Sequence, residues 1–135
     1  MVSLRKLAGV RIPTLPYSTI TDEVIGGFFD LSIVFVSSVE SRRLNLLHRG
    51  IDSSTNVLSF PLDHDNGELV FDYTLCMSEA ESLHIDEIAY LTYLLIHGLL
   101  HLSGYNHGKK MKKEERKFVD KYCKKDNDLI AEVFL

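Results

Sequence analysis

Tryptophan is missing from this chain of 135 residues, proline occurs three times and cysteine twice. The two cysteines, Cys76 and Cys123, are far apart and form no C-x-x-C pair, so neither a disulfide framework nor a second metal site is suggested; buried free thiols are the expectation. No window approaches the ~20 apolar residues that span a bilayer, and no long apolar stretch follows the start Met1-Val2-Ser3-Leu4-Arg5-Lys6-Leu7. A cytoplasmic location is therefore expected. Repeats and low-complexity tracts are missing too, and the balance of 45% hydrophobic and 25% charged residues is ordinary for a globular protein. At this length one real core can form but not two, so residues 1–135 are read as a single domain.

What is present reads as α+β: a small mixed β-sheet packed against several α-helices. Pro13 and Pro16 interrupt any helix begun near Leu4, and the first twenty residues give no clear element. Thr21 is placed to cap a short helix through Phe29. The apolar, β-branched run Leu31–Val36 predicts a buried strand. Ser37 and Glu40 then make a capping-box signature for a helix running to Arg49 and stopping at Gly50. Val57–Phe60, before Pro61, and Leu69–Phe71, after the polar turn Asp63–Gly67, read as further strands. A short helix from Ser78 to about His84 and a long one from Asp86 to Leu102 follow, the latter with Ile88, Leu91, Leu95 and Leu99 as its buried stripe.

Three histidines carry most of the functional information. His97, His101 and His107 stand at H-x-x-x-H-x-x-x-x-x-H, with Gly104 between the second and third. Residues four apart share a helix face, so His97 and His101 can converge on one point. Glycine at 104 can take positive φ and turn the chain back, which returns His107 to that point. Two histidines at this spacing on an apolar helix can also be packed core residues, but the third one and the glycine favour a metal. Three protein ligands and one open position suit a catalytic ion, because structural zinc sites normally close their shell with four side chains. The central helix thus carries two of the three ligands. His48, His64 and His84 have no partner at ligand spacing and receive no metal role. Imidazole suits zinc, but also nickel, copper and iron, so the ligands alone leave the ion open. The spacing also fits the zinc-protease pattern H-E-x-x-H-x-x-G-x-x-H, except that Gly98 replaces its general-base glutamate. Peptide hydrolysis is disfavoured on that ground.

Beyond the histidines, Lys109 to Lys125 is expected to form an amphipathic helix with Met111, Phe118, Val119, Tyr122 and Cys123 on one side. Its other face is basic, a local balance of +6 in a chain of net charge −4. Such a face can meet phosphate. It can equally be a solvated surface whose charges pair locally, as Lys110 with Glu114 and Asp120 with Lys124.

At this point the sequence resembles a known family, the YbeY-type endoribonucleases, rRNA maturation factors. The run His97-Gly98-Leu99-Leu100-His101-Leu102-Ser103-Gly104-Tyr105-Asn106-His107 is similar to the family's H-G-x-x-H-L-x-G-Y-D-H. Leu44-Asn45-Leu46-Leu47-His48-Arg49-Gly50 resembles its L-N-x-x-Y-R-G, and Thr55-Asn56-Val57-Leu58-Ser59-Phe60-Pro61 its T-[DN]-V-L-S-F-P. Order and separations agree, and the likeness covers about residues 31 to 122. It implies metal-dependent cleavage of single-stranded RNA, tied to 3′-end maturation of small-subunit rRNA and ribosome quality control. One zinc ion is implied on His97, His101 and His107. Arg49 is implied to face the substrate phosphate, and His97 is counted with it as catalytic. The implied partners are the ribosome and its RNA, with ribosomal proteins as further candidates. From position alone, Arg49 also fits a cation complementing the C-terminal end of its helix dipole.

Four features depart from the family pattern: Asn106 where Asp is usual, Glu68 in the Gly67-Glu68-Leu69 strand entry, His48 where Tyr is common, and a shortened or rearranged N-terminal region. Asn106 cannot act as a base. Two other classes stay in view. One is an RNA-binding ribosome assembly factor with a structural metal and no turnover; the other is a metal-dependent hydrolase of small phosphoesters or amides.

Overall fold

A computed structural model describes residues 1–135. Ten elements follow in chain order: β1 (Val2–Lys6), α1 (Tyr17–Val24), β2 (Asp30–Val36), α2 (Ser38–Arg49), β3 (Val57–Asp63), β4 (Asn66–Asp72), α3 (Tyr73–Leu83), α4 (Glu87–Leu102), α5 (Lys109–Tyr122) and α6 (Asn127–Phe134). The sheet has the order β1-β2-β4-β3, with β1 and β4 parallel to β2 and β3 antiparallel to β4. This is the mixed sheet and helical cover that the sequence pattern implies.

Side-chain alternation along the strands divides the molecule into two layers of packing. Leu31, Ile33 and Phe35 of β2 and Leu69 and Phe71 of β4 enter the main core; Ile33 lies opposite Leu69, and the Phe35 and Phe71 rings stack at 5.4 Å. On the other face Val36, Val70 and Leu58 form a smaller cluster with Leu44 of α2. The α4 helix fills the main core, since eleven of its residues are buried, including Leu91, Leu95 and Leu99. Ile88, expected on that stripe, is instead 42% exposed: it lies in the first turn, outside the packed region.

Several boundaries differ from the sequence expectations. Thr21 is not a cap; it is buried within α1, where its hydroxyl donates to the Tyr17 carbonyl at 2.7 Å, and that helix ends at Val24. The unread N-terminus contains β1, an edge strand made by pairing with β2 rather than by a hydrophobic pattern of its own. Strand β3 runs through Pro61 to Asp63, which an edge strand tolerates because one side of its backbone has no partner strand. Helix α3 starts five residues before Ser78, directly after β4, because Asp72 caps it by accepting the Leu75 N–H at 3.0 Å. The α6 helix had no counterpart in the sequence reading.

The capping chemistry around α2 and α4 follows the sequence closely. Ser37 Oγ accepts the Glu40 N–H at 3.2 Å, and α2 ends at Gly50 with φ +70°. Asp86 caps α4 through the Ala89 N–H at 3.1 Å. At the far end Gly104 takes φ +97°; its N–H bonds to the His101 carbonyl, and the Tyr105 N–H to the Leu100 carbonyl, both at 3.0 Å. That pair of bonds is a Schellman motif. It reverses the chain directly below His101.

Candidate metal centre

Helix α4 presents His97 and His101 one turn apart, and the Gly104 reversal brings His107 beside them. The ring centroids lie 4.6 Å apart for His97 and His101, 4.6 Å for His101 and His107, and 5.4 Å for His97 and His107. Donor nitrogens of all three fall within 4.8 Å of one another. His97 and His101 are half-buried and His107 is exposed, so the group opens to solvent on one side.

The tautomers follow from the partners. His101 Nδ1 lies 3.1 Å from the Tyr105 carbonyl, which can only accept, so that nitrogen carries the proton. His97 Nδ1 lies 3.0 Å from Oε1 of Glu115, a second acceptor. With both Nδ1 atoms so engaged, the two Nε2 atoms are the ones left to face each other, at 3.2 Å, and in neutral rings they are lone pairs. A proton on one of the two nitrogens, or a cation held between them, joins such a pair. Tetrahedral zinc at about 2.0–2.1 Å from each ligand nitrogen would separate two of them by roughly 3.4 Å. The residues therefore fit a metal ion. Burial first, and the neighbouring His97 and His107 next, hold the pKa of His101 below the ordinary imidazole value. It is thereby kept in the ligating form.

Gly98 has a packing reason. A Cβ at that position would stand 2.8 Å from Cδ2 of Leu69, a fully buried residue of β4. The helix rests on the sheet there, so the position that bears glutamate in the protease pattern faces the core rather than the histidines.

The histidines form one wall of a cleft of about 810 Å³ whose lining includes His48, Arg49, Asn56, Ser59, Phe60 and Lys112. Arg49 thus shares a cavity with the three histidines. Its neighbours on α2 are engaged, Arg42 with Asp52 at 2.7 Å and Arg43 with Glu40, whereas Arg49 takes part in no ion pair. Asn45, in the same motif, has a structural job: it is buried and donates to the Ser53 carbonyl at 2.9 Å. Ser41 bonds both the N–H and the carbonyl of Thr55. Together they pin the loop that leads into β3, and so fix Arg49 relative to that strand.

Glu115 is the residue the sequence reading missed. Counted among the acids of a solvated basic helix, it is instead 3% exposed and faces inward with Met111, Phe118 and Val119. Its position was legible in principle, because 111, 115, 118 and 119 trace one helical stripe. The expected surface pairs also differ: Glu114 is 3.8 Å from Lys117 and Asp120 is 2.9 Å from Arg116, at (i, i+3) and (i, i+4). Asn106 is exposed and makes no side-chain hydrogen bond. His64, given no partner from spacing, lies with Asp63 and Asp65 in the β3–β4 turn, where donor atoms of the three come within 4.8 Å. All are exposed, and Asp63 is already occupied with the Asp65 and Asn66 N–H groups. His84 takes the left-handed position, φ 57°, that ends α3.

Fold and site define an α+β protein whose helix and following turn assemble a three-histidine group that can bind a metal ion. The family described as Endoribonuclease YbeY matches residues 13–124, and the chain belongs to that family. The match reaches further toward the N-terminus than the motifs alone. Among curated proteins named Endoribonuclease YbeY, that of Acinetobacter baylyi is 39% identical over 58% of this chain and 56% of its own length. That of Caldanaerobacter subterraneus subsp. tengcongensis is 34% identical over 78% and 73%. The solution structure of TM1509 from Thermotoga maritima superimposes with a TM-score of 0.67, covering 98% of this chain and 95% of that one at 24% identity. That likeness speaks for the fold. No helix is long and apolar enough to cross a membrane.

Proposed function

We propose that this chain is a zinc-dependent endoribonuclease that cleaves single-stranded RNA, acting in the cytoplasm in late 3′-end maturation of small-subunit rRNA and in ribosome quality control. The observation that carries the metal half of this reading is the convergence of donor nitrogens from His97, His101 and His107 within 4.8 Å of one another, with two Nε2 atoms 3.2 Å apart. Family membership carries the RNA half.

A zinc ion bound there would supply a Lewis acid and lower the pKa of a coordinated water toward neutrality. The protein's own residues do the rest. His97, His101 and His107 hold the ion through neutral nitrogens and leave its charge undiminished. Arg49, across the same cleft and free of carboxylates, can place two parallel N–H donors on phosphate oxygens and stabilise the charge that builds up during in-line displacement. Lys112 adds a second cation to the cleft lining, from the basic face of α5. Strand β3 forms a further wall, and Phe60, whose ring meets that of His48 at 4.9 Å, offers an aromatic surface for an unpaired base. A duplex keeps its bases stacked and unavailable to such a surface, so these features favour single strands.

The test is cleavage of a labelled single-stranded RNA by zinc-loaded wild type beside Arg49→Ala, with matched metal content and a chelator control. Chelator-sensitive turnover in wild type that falls about 10²-fold or more in the variant is the expected result. Binding without turnover in either protein would point to the RNA-binding assembly factor instead.

A further inference from the structure

We infer that Glu115 is a positioning residue for the metal centre: it fixes the His97 ring with Nε2 turned toward the ion and places a buried negative charge behind it. The inference rests on the metal reading given above and extends it to a residue outside the three ligands.

The observation is a carboxylate where the packing calls for a hydrocarbon. On α5, Met111, Phe118 and Val119 are buried apolar side chains, and Glu115 lies among them on the same face, 3% exposed. Oε1 is 3.0 Å from His97 Nδ1, and the only other polar side chain beside the carboxylate is the neutral Tyr93 hydroxyl, leaving Oε2 buried without a charged or strongly donating partner. No lysine or arginine pairs with it; the His97 ring is the one potentially charged group it touches. A buried carboxylate left in that state is expensive unless positive charge lies close by. A dication on the far nitrogen of His97 is such a charge, reached through the imidazole ring. Conversely, three neutral imidazoles leave a divalent ion uncompensated, and Glu115 is the one carboxylate that touches a ligand. Acceptors behind a ligating histidine set its tautomer and raise its donor strength, and their loss typically weakens metal binding about 10- to 100-fold.

The surroundings fit a residue held in place. Tyr93, on α4 one turn before His97, is buried, with its ring 5.8 Å from that of His97. Its hydroxyl is pushed well above the ordinary phenol range, by burial first, then by the charge of Glu115 and a hydrogen bond to it, and so stays protonated beside the carboxylate. Phe134 of α6 stacks on Tyr93 at 4.8 Å.

The experiment compares wild type, Glu115→Gln and Glu115→Ala by zinc competition against a chromogenic chelator, by the visible spectrum of the cobalt-substituted proteins, and by thermal unfolding of the metal-free forms. Glutamine retains an acceptor for the Nδ1 proton but no charge, so its affinity should drop about 10-fold, and that of alanine about 100-fold. Intense four-coordinate cobalt bands in Glu115→Gln would show the same three ligands in use. Metal-free Glu115→Gln should melt close to wild type, since the amide oxygen still accepts from His97 Nδ1 while a buried carboxylate is removed. Variants that hold zinc within twofold of wild type would overturn this inference while leaving the three-histidine site intact. So would a metal-free melting loss large enough to account for the weaker binding. A wild type that takes up no zinc would overturn the metal reading itself along with it.

Discussion

His97 and His101 turn their Nε2 atoms toward each other across 3.2 Å while each ring commits its Nδ1 proton elsewhere, to Glu115 and to the Tyr105 carbonyl. The backbone enforces this opposition, through a helix that spaces the rings by four residues and a Schellman turn that places the Tyr105 carbonyl under the second. A cation relieves it. Saturating zinc should therefore stabilise the fold: at about 100 times Kd the gain is about 2.7 kcal/mol, a rise in Tm on the order of 10 °C for a chain of this size. In His101→Ala the zinc-dependent rise should vanish and RNA cleavage with it. Thermal melts with and without zinc check the first, and a cleavage assay the second; undiminished cleavage by a metal-free variant would sink the metal's role.

Arg49 offers a prediction that separates chemistry from stability. It is exposed and unpaired at the end of α2, so its removal should change stability by no more than about 0.5 kcal/mol, the range of ordinary surface substitutions. Turnover should fall by about 10² or more in Arg49→Ala. Arg49→Lys should recover only part of that loss, because an ammonium keeps the charge but lacks the planar pair of donors. Urea unfolding beside single-turnover kinetics reads both quantities. If the residue were only a cation for the helix dipole, lysine would serve as well as arginine and turnover would not move.

What the sequence showed was the chemistry encoded by neighbours along the chain. His97 and His101 share a face because of a four-residue spacing, Gly50 and Gly104 end helices because they can take positive φ, and Ser37 announces its cap three residues before Glu40. Each of these is a local rule, and each appears in the structure. Strand β1 was invisible because nothing within Val2–Lys6 requires a strand; its pairing partner begins at Leu31. Glu115 was hidden for the same reason at the level of charge. Its partner lies eighteen residues upstream, and in a segment dense with lysine a further acid reads as a surface residue. The assignment of Asn45 to structure and Arg49 to the cleft also needed coordinates, since both belong to one short motif.

The start of α4 carries a pH dependence whose sign can be worked out. The Asp86 carboxyl is held below the ordinary carboxylate value by Lys125, which donates at 3.0 Å, and by the Ala89 N–H that it caps. A depressed native pKa means that the unfolded chain binds the proton more readily. The cap's contribution is then fully present above about pH 4 and is lost as pH falls through the native pKa. Asp86→Ala should cost about 1 kcal/mol at neutral pH, and the gap between variant and wild type should narrow steadily as pH is lowered below about 4. Denaturant titrations of the metal-free proteins across that range would show it; a gap independent of pH would mean that the carboxylate charge contributes nothing to the cap.

Gly98 sets how closely α4 can lie on the sheet, and so where His97 stands. A side chain there would meet Leu69, which is fully buried and faces Ile33 of β2 across the strand pair. Alanine is a poor probe, because its better helix propensity, about 1 kcal/mol, offsets the crowding. Leucine adds bulk that the terminal atoms of Leu69 cannot clear without displacing their own neighbours, so Gly98→Leu should destabilise the metal-free protein by about 1–3 kcal/mol. It should also weaken zinc binding more than that loss explains, since a helix lifted from the sheet carries His97 away from His107 while His97 and His101 stay in step. Paired measurements of unfolding free energy and zinc affinity distinguish the two effects. A variant that loses stability yet binds zinc normally would show that the centre tolerates movement of its helix, and that Gly98 serves packing alone.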